Sequence, residues 1–328
     1  MTAKPAKITE TVVEETTLAW FKALGWQTAF GPDISPDGMA RERGDYEQVV
    51  LFGRLQNALE RINPDVPPDV IEEAIRKITR VESPSLIENN RCFHRMLTDG
   101  VDVSYMKEGL EVHEKVWLLD LKDLSTNDWF AVNQFTVVED RRNRRPDIVL
   151  FVNGLPLGVV ELKNPADEKA TTRHAYNQLQ TYKNDIPGLF VFNELLVISD
   201  GLEARGGTLT SGWDRFMPWR TIDGNEVAPR GSVELDVLLK GVFEKRRFLD
   251  LVLNFVVFDD DGVSIAKKAA AYHQFHAVNK AVECTLSACG IEAEEDMLYA
   301  RFPEHDEKNP HKVREEQTDY GSGTDHFG

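Results

Sequence analysis

The sequence predicts an α/β fold, a mixed β-sheet flanked by helices, with a helical segment at the C-terminal end. Its 328 residues are 41% hydrophobic and 28% charged, which is enough to bury a sizeable core in one large or two moderate domains. Helical periodicity fills the first hundred residues. Short β-like runs then follow, and they end in a hairpin that is succeeded by a helix and another apolar strand.

Four helices are predicted in the N-terminal part of the chain. Apolar side chains recur at helical spacing from about Glu10 to Gly25, and Glu14 falls on that inward stripe. The other three helices are predicted over Asp45 to Leu59, Pro67 to Thr79, where prolines suit the first turn, and Ser85 to Leu97.

The middle of the chain predicts strands, which are bounded by Gly, Asn and Asp. The β-like runs are VDVSYM (101–106), KVWLLDL (115–121) and NQFTVVED (133–140), followed by the hairpin RRPDIVLFVNGLPLGVVELKNP (144–165). A helix is predicted near Thr171 to Lys183, and LFVFNELLVISDG (189–201) is predicted as the next strand.

Beyond Ser232 the organisation changes. We predict a helical stretch over 233–255, a short strand and turn in VVFDDDG (256–262), another helix over 264–288, and a loop or disordered tail from Glu304. A boundary near 240–260 divides the chain into predicted domains 1–245 and 246–328.

Composition excludes several classes of protein. No segment approaches the ~20 apolar residues that cross a bilayer, and the N-terminus lacks the apolar core of a secretory signal, so we expect a cytoplasmic location without a membrane partner. The net charge of −17 argues against non-specific coating of nucleic acid. Locally, however, Arg141, Arg142, Arg144 and Arg145 form a basic group directly before Asp147, which alone would be read as a solvated loop.

The hairpin carries three charges at one end. Asn153-Gly154 is a strong turn signal that makes Asp147 and Glu161 neighbours, and Lys163 shares a strand face with Glu161. Two carboxylates with a lysine beside them are a minimal arrangement for binding Mg²⁺ and for phosphodiester hydrolysis. The alternative is a surface ion pair between Glu161 and Lys163, which contributes only about 0–1 kcal/mol.

The register of this hairpin decides whether the site exists. A strict two-residue turn at Asn153-Gly154 places Asp147 opposite Val160 and leaves Glu161 on the other face. We therefore predict a bulge or an extended loop between Val152 and Leu157, because Pro156 cannot donate to the ladder.

The hairpin sequence, together with VVLFGRLQNALERINPDVP and LIENNRCFHRMLTDGV, resembles the PD-(D/E)XK nuclease region of the restriction (R) subunit of type I restriction-modification enzymes. The resemblance implies an Mg²⁺-dependent endonuclease that cuts double-stranded DNA, with Asp147 and Glu161 as metal ligands and Lys163 as the third catalytic residue. It also implies that methylation and specificity subunits are partners.

Further residues gain a role from the same resemblance. Gln178 and Tyr182 match the family's Gln-x-x-x-Tyr pattern, and with Arg144 and Arg145 they are assigned to DNA binding or structural support. By spacing alone, Gln178 and Tyr182 share a helix face and either reach DNA, brace the catalytic strand, or form a buried Tyr–Gln pair.

Glu14 is either a surface residue or an additional metal-associated acid. Related nucleases often carry such an acid on this helix, and Glu10, one turn earlier, is a rival for the same role. From the residues alone the surface interpretation is favoured.

The chain departs from the family's large subunit in one respect. It contains no G-x-x-x-x-G-K-[ST] phosphate loop, although AAYHQFHAVNKAV resembles the segment that contacts adenine ahead of the first motor domain, with Gln274 as the predicted contact. We therefore expect a fragment, with ATP as a cofactor of the full-length subunit only. Two alternative functions remain: a non-catalytic docking module for the motor and methylation core, and a stand-alone defence nuclease with the same core.

Overall fold

The computed structural model describes residues 9–164 and 171–289. Its helices are α1 (Glu10–Ala23), α2 (Phe52–Ile62), α3 (Pro68–Thr79), α4 (Leu86–Asp99), α5 (Thr172–Asp185), α6 (Pro187–Phe190), α7 (Glu234–Val242), α8 (Lys245–Phe255) and α9 (Tyr272–Ala288). Its strands are β1 (Gln27–Phe30), β2 (Val101–Lys107), β3 (Leu110–Val116), β4 (Trp129–Asn133), β5 (Val137–Glu139), β6 (Arg142–Arg144), β7 (Ile148–Val152), β8 (Leu155–Leu162), β9 (Leu195–Ser199), β10 (Ala204–Gly207), β11 (Val256–Asp260) and β12 (Ile265–Ala269).

A six-stranded mixed sheet organises the molecule, in the order β1-β4-β7-β8-β9-β10. The pairs β1–β4 and β8–β9 are parallel, and the other neighbouring pairs are antiparallel. Three two-stranded ribbons, β2–β3, β5–β6 and β11–β12, lie outside this sheet. The predicted α/β fold with a mixed sheet flanked by helices is confirmed.

The β7–β8 hairpin combines a tight turn with a bulge. Asn153 and Gly154 both have positive φ (51° and 78°), as a two-residue primed turn requires. Phe151 pairs with Pro156, but the next pair is Leu150 with Gly158, so Leu157 is an extra residue on β8. The predicted irregularity between Val152 and Leu157 is therefore confirmed, and it moves the register by one residue.

Helices cover both faces of the sheet. Neighbouring strand residues point to opposite faces, and a side chain added at Gly206 would meet Leu238 of α7, whereas one added at Gly207 would meet the ring of Phe216. Phe216 in turn packs edge-on against Tyr176 of α5 at 5.3 Å between ring centroids. Helices α5 and α7 therefore lie on opposite faces.

An aromatic cluster fills the α7 face. Trp129 of β4 packs edge-on against Trp26 at 5.0 Å and against Phe248 of α8 at 6.4 Å. Phe21 of α1 contacts both Trp26 and Phe243, which places α1 on this face. This packing brings the N-terminal helix to the edge of the sheet where the charged residues lie.

Several predicted boundaries were wrong because side chains bind backbone groups in place of regular structure. The helix predicted from Asp45 begins only at Phe52: the Asp45 carboxylate accepts from the backbone N–H of Gln48, and Leu51 N–H donates to Gly154. The strand predicted over 115–121 ends at Val116, because the Asn63 side chain holds both the N–H and the carbonyl of Trp117.

The other corrections concern element type or position. The run 133–140 contains the last residue of β4, Asn133, and the short strand β5, and Gln134, with φ 56°, separates the two strands. Within 189–201 only Leu195–Ser199 is a strand, and the helix predicted from 264 begins at Tyr272, because Ile265–Ala269 pairs with β11. Strands β1, β4, β6, β10 and β12 were not predicted, apart from the last residue of β4.

The stretch 233–255 forms two helices, α7 and α8, with a break at Phe243 and Glu244. Side chains on both sides of the predicted 245/246 boundary, Phe243 and Phe248, stack at 5.3 Å. The two-domain division stays a prediction, and the predicted tail from Glu304 lies outside the described residues. No helix in the described part of the chain is long and apolar enough to cross a membrane.

Candidate active site

Asp147 and Glu161 lie side by side at one end of the hairpin. Because Ile148 pairs with Val160, the shifted register brings Asp147 opposite Glu161 and onto the same face. The Asp147 Oδ2 atom accepts a hydrogen bond from the backbone N–H of Leu162 (2.6 Å). Asp147 is 6% exposed and Glu161 is fully buried.

Burial of two acids in contact changes their protonation. Burial raises the pKa of Asp147 to about 7, against the lowering effect of the Lys163 ammonium. The pKa of Glu161 lies well above its ordinary value because of burial and, second, because of the neighbouring Asp147 carboxyl. Two buried carboxyls that cannot both ionise easily form a site that favours an added cation.

Lys163 supplies a positive charge at this site. Its Nζ atom donates to Glu161 Oε1 (2.7 Å) and to the Leu162 carbonyl (2.8 Å), and it lies 3.8 Å from Glu10 Oε1. Burial lowers the pKa of Lys163, but Glu161 and the other acids outweigh this effect and raise it above the ordinary value. The side chain is therefore a fixed ammonium.

One carboxylate oxygen of Glu161 is buried without a hydrogen-bond donor from a described residue. Within the part of the chain that the structure describes, Glu161 Oε2 is buried and has no hydrogen-bond partner. An orphaned carboxylate oxygen is costly unless a ligand or solvent satisfies it. The donor set here consists of carboxylate oxygens, which are the ligands that Mg²⁺ prefers.

Helix α1 brings two further acids to Asp147. Single oxygen atoms of Glu10, Glu14 and Asp147 lie within 4.8 Å of one another. Glu14 is only 6% exposed, so the surface interpretation of Glu14 is wrong. Both candidates that the sequence offered for this position, Glu10 and Glu14, reach the site.

Gln134 is a functional candidate that sequence reasoning missed. Its Nε2 atom donates to both oxygens of Glu14 (2.7 Å each), and Asn133 Nδ2 adds a longer bond of 3.3 Å. Gln134 adopts a left-handed conformation directly after β4, which turns its side chain toward α1. The polar pair Asn133-Gln134 after the apolar run 129–132 was the only signal in the sequence.

Gln178 and Tyr182 form the pair that their spacing allowed. Gln178 Nε2 donates to the Tyr182 hydroxyl, which lies 3.4 Å from the carbonyl oxygen of Arg145. Tyr182 is 4% exposed, and burial, followed by the charge of Glu161, raises the pKa of its hydroxyl. Tyr182 is thus a neutral, buried group that contacts the segment preceding Asp147.

The two arginines before Asp147 differ in their partners. Arg144 forms an ion pair with Asp185 at the end of α5, with Nε and Oδ2 2.7 Å apart. Arg145 is exposed and forms no ion pair with a described residue. Both line an open groove with one side of α5, whose lining includes Asn177, Gln178 and Tyr182.

Gln274 lies far along the chain, at the start of α9. It is exposed, and its Oε1 atom accepts from the backbone N–H of Ala271 (3.0 Å), which caps the helix. The adenine contact stays a prediction.

The comparisons with known proteins agree with this fold. A family model described as type I restriction enzyme R protein N terminus matches residues 7–215. The chain is 38% identical over 285 residues to the type I restriction enzyme HindI endonuclease subunit of Haemophilus influenzae, covering 86% of this chain and 27% of that protein.

Two further relatives carry the same kind of name. A putative type I restriction enzyme endonuclease subunit of Methanocaldococcus jannaschii, MjaIXP, is 31% identical over 93% of this chain and 30% of its own length. The EcoprrI endonuclease subunit of Escherichia coli is 30% identical over 44% of this chain and 47% of its own length. The chain thus spans less than a third of the length of the first two relatives. On the match over residues 7–215 and these identities, the chain belongs to the type I restriction enzyme R protein family and corresponds to its N-terminal region.

Proposed function

We propose that this chain is a Mg²⁺-dependent endonuclease domain that hydrolyses phosphodiester bonds of double-stranded DNA. The observation that carries the proposal is the buried contact of Asp147 and Glu161 beside Lys163, with one oxygen of Glu161 that has no hydrogen-bond partner among the described residues. A structural ion pair between Glu161 and Lys163 does not require a second buried acid or an orphaned oxygen.

Asp147 and Glu161 are the proposed metal ligands, and Glu14, held by Gln134, is a further acid at the same site. A bound divalent ion would stabilise negative charge on the phosphate and acidify a water molecule. Lys163 keeps its positive charge next to Glu161, where it would neutralise charge that develops on the phosphate.

The groove between Arg144, Arg145 and α5 is the proposed approach for the DNA backbone. Arg145, which has no acidic partner among the described residues, offers its guanidinium there, and Gln178 lies on the same lining. Tyr182 holds the segment before Asp147 in place, because its buried hydroxyl contacts the carbonyl of Arg145, two residues before Asp147.

The remaining assignments follow from relatives that are named as endonuclease subunits of type I restriction enzymes. We propose a cytoplasmic complex with methylation and specificity subunits, and a division of this chain into a nuclease domain over 1–245 and the start of a motor region over 246–328. ATP would act in the full-length subunit, with Gln274 as a contact for adenine.

The test replaces Asp147, Glu161 or Lys163 by Ala in the complete enzyme and follows DNA cleavage and ATP hydrolysis together. Each variant is expected to lose at least ~100-fold in cleavage rate, because each removes a charge at the reacting phosphate. ATP hydrolysis is expected to stay largely unchanged. The control is Lys268→Ala, which removes an exposed lysine from an ion pair with Asp259 away from the site.

Normal cleavage by any of the three variants would remove that residue from the mechanism. Normal cleavage by all three would favour the docking-module function, in which the carboxylates are dispensable.

A further inference from the structure

We propose that Arg173, Arg205 and Trp213 form a second DNA-contact site, which binds backbone phosphates at a distance from the scissile bond. This inference rests on the proposed nuclease function. Together with Tyr176, these three residues are called the arginine–tryptophan cluster.

Two guanidinium groups stack on one indole ring in this cluster. The central carbon atoms of the Arg173 and Arg205 guanidinium groups lie 4.8 Å and 5.1 Å from the Trp213 ring centroid. Tyr176 packs edge-on against Trp213 at 5.7 Å and lies 5.3 Å from the Arg173 guanidinium. Stacking holds the planar groups in place while their N–H donors stay available.

Neither arginine has an acidic partner in the part of the chain that the structure describes. Within residues 9–164 and 171–289, Arg173 and Arg205 form no ion pair, whereas Arg54 and Arg144 are paired with acids. The chain carries a net charge of −17, so two adjacent unpaired cations are not a consequence of a general basic surface. Arg173 is exposed and Arg205 is partly exposed, so both are open to a polyanion.

The cluster shares a sheet face with the candidate active site. Glu161 pairs with Ile198 on β9, and Ile198 pairs with Arg205 on β10, so the three side chains form one row across the sheet. Two strand spacings, roughly 10 Å, separate the backbone of Glu161 from the backbone of Arg205. Arg173 lies in the first turn of α5, the helix that follows the strand of Glu161.

That separation is on the scale of one short segment of duplex DNA. Each strand carries one phosphate per ~3.4 Å of helix axis, so phosphates a few nucleotides from the scissile one can reach the cluster. A phosphate held by the cluster would therefore belong to the same DNA segment whose scissile phosphate lies at Asp147 and Glu161. Contacts of this type orient the duplex and carry no sequence information.

The experiment measures binding of a fluorescent duplex of about two helical turns to the 328-residue chain, without divalent ions, at several salt concentrations. The double variant Arg173→Ala/Arg205→Ala is expected to bind more weakly. The slope of log K against log salt is expected to become less negative by about 2, because two phosphate contacts are lost.

Two matched variants control for charge and for folding. Arg173→Lys/Arg205→Lys keeps both charges and is expected to keep most of the slope. Arg76→Ala/Arg80→Ala removes two exposed arginines that face Glu72 and Glu82 elsewhere on the surface, and it is expected to leave the slope unchanged.

An unchanged slope and affinity in the Arg173→Ala/Arg205→Ala variant would overturn the cluster as a DNA site, and so would an equal loss in the Arg76→Ala/Arg80→Ala control. Cleavage by the complete wild-type enzyme is scored separately. If the salt slope of the Arg173→Ala/Arg205→Ala variant becomes less negative but the complete wild-type enzyme does not cleave DNA, the cluster is supported and the proposed function is contradicted. If the enzyme cleaves DNA but the slope of the variant is unchanged, the proposed function is supported and the cluster is contradicted.

Discussion

Asp147 illustrates how a single residue can oppose the stability of the fold that holds it. An unperturbed aspartate has a pKa of about 3.9, whereas burial raises the pKa of Asp147 to about 7. Between these values the folded state binds more protons than the unfolded state, so this residue lowers the free energy of unfolding as the pH rises. Without a cation, the ionised site is under electrostatic strain at neutral pH.

Asp147→Asn is therefore expected to stabilise the metal-free chain at pH 8 relative to the wild type, and to do so much less at pH 4.5. The difference between the two pH values should be on the order of 3 kcal/mol, since each pKa unit corresponds to about 1.4 kcal/mol. The Asn carbonyl can still accept the hydrogen bond from Leu162 N–H. Urea denaturation at both pH values measures the effect.

Asp123→Asn is the control with the opposite sign. Hydrogen bonds from Ser125 lower the pKa of the exposed Asp123, so its replacement should cost stability above the unfolded pKa and cost less below it. If both variants changed with pH in the same direction, the assignment of the strain to Asp147 would be wrong.

At the residue scale, the sequence predicted which side chains come together in the hairpin better than it predicted their contacts with distant parts of the chain. Asp147, Glu161 and Lys163 lie within 17 positions of one another, so turn chemistry and strand alternation, together with the irregularity that Pro156 favours, were enough to place them together. From the residues alone a surface position was favoured for Glu14, because Gln134, which donates to its carboxylate, is 120 positions away. No local pattern specifies such a contact.

At the scale of elements, the β7–β8 hairpin depends on a glycine with two independent constraints. Gly154 has a φ of 78°, and a Cβ atom there would lie 2.5 Å from the carbonyl oxygen of Leu51 and 2.8 Å from the N atom of Leu55. The tip of the hairpin is therefore packed directly against the start of α2, and Leu51 N–H donates to the Gly154 carbonyl.

Gly154→Ala should cost about 3–5 kcal/mol in the free energy of unfolding, from left-handed strain plus overpacking against backbone atoms. Gly109→Ala provides a matched comparison, because Gly109 has nearly the same φ, 83°, with no atom within 4 Å of the added Cβ. It should cost only about 1–2 kcal/mol. Equal losses for the two variants, measured by thermal or urea denaturation, would contradict the close packing at Gly154.

Element boundaries were predicted well where local signals dominate and poorly where side chains far along the chain intervene. Pro67 and Pro68 correctly marked the start of α3. The strand predicted over 115–121 failed because Asn63, more than 50 positions earlier, takes both backbone groups of Trp117. The apolar composition of that segment reflects burial without regular pairing.

At the scale of the whole molecule, a buried ionic group joins the C-terminal ribbon to the sheet. Lys267 of β12 lies 2.6 Å from Glu194 Oε2, and its ammonium also donates to Asn90 Oδ1 and to the Asn193 carbonyl. His94 of α4 lies 3.0 Å from the same Glu194 oxygen. Lys267 and Glu194 are almost fully buried, so α4, β12 and the loop before β9 meet at one charged contact.

Lys267→Met should lower the free energy of unfolding by about 3–5 kcal/mol, because it leaves Glu194 buried without its cation. The double variant Lys267→Met/Glu194→Gln should recover part of this loss. Lys268→Met, which breaks the exposed pair with Asp259, should change stability by no more than about 1 kcal/mol. A small effect at Lys267, comparable to that at Lys268, would show that the ribbon is not anchored through this contact.

The single extra residue at Leu157 decides which side chains of β8 share a face with Asp147. With a two-residue turn and one bulged position, Asp147 and Glu161 face the same way; removal of the bulge alone would leave Val160 opposite Asp147. In related sequences with a two-residue turn, the spacing between the two acids should therefore change only in steps of two, or together with gain or loss of the bulge. An odd change in spacing with both the bulge and the two-residue turn kept would mark a chain whose acids point to opposite faces, even if both residues are present in an alignment.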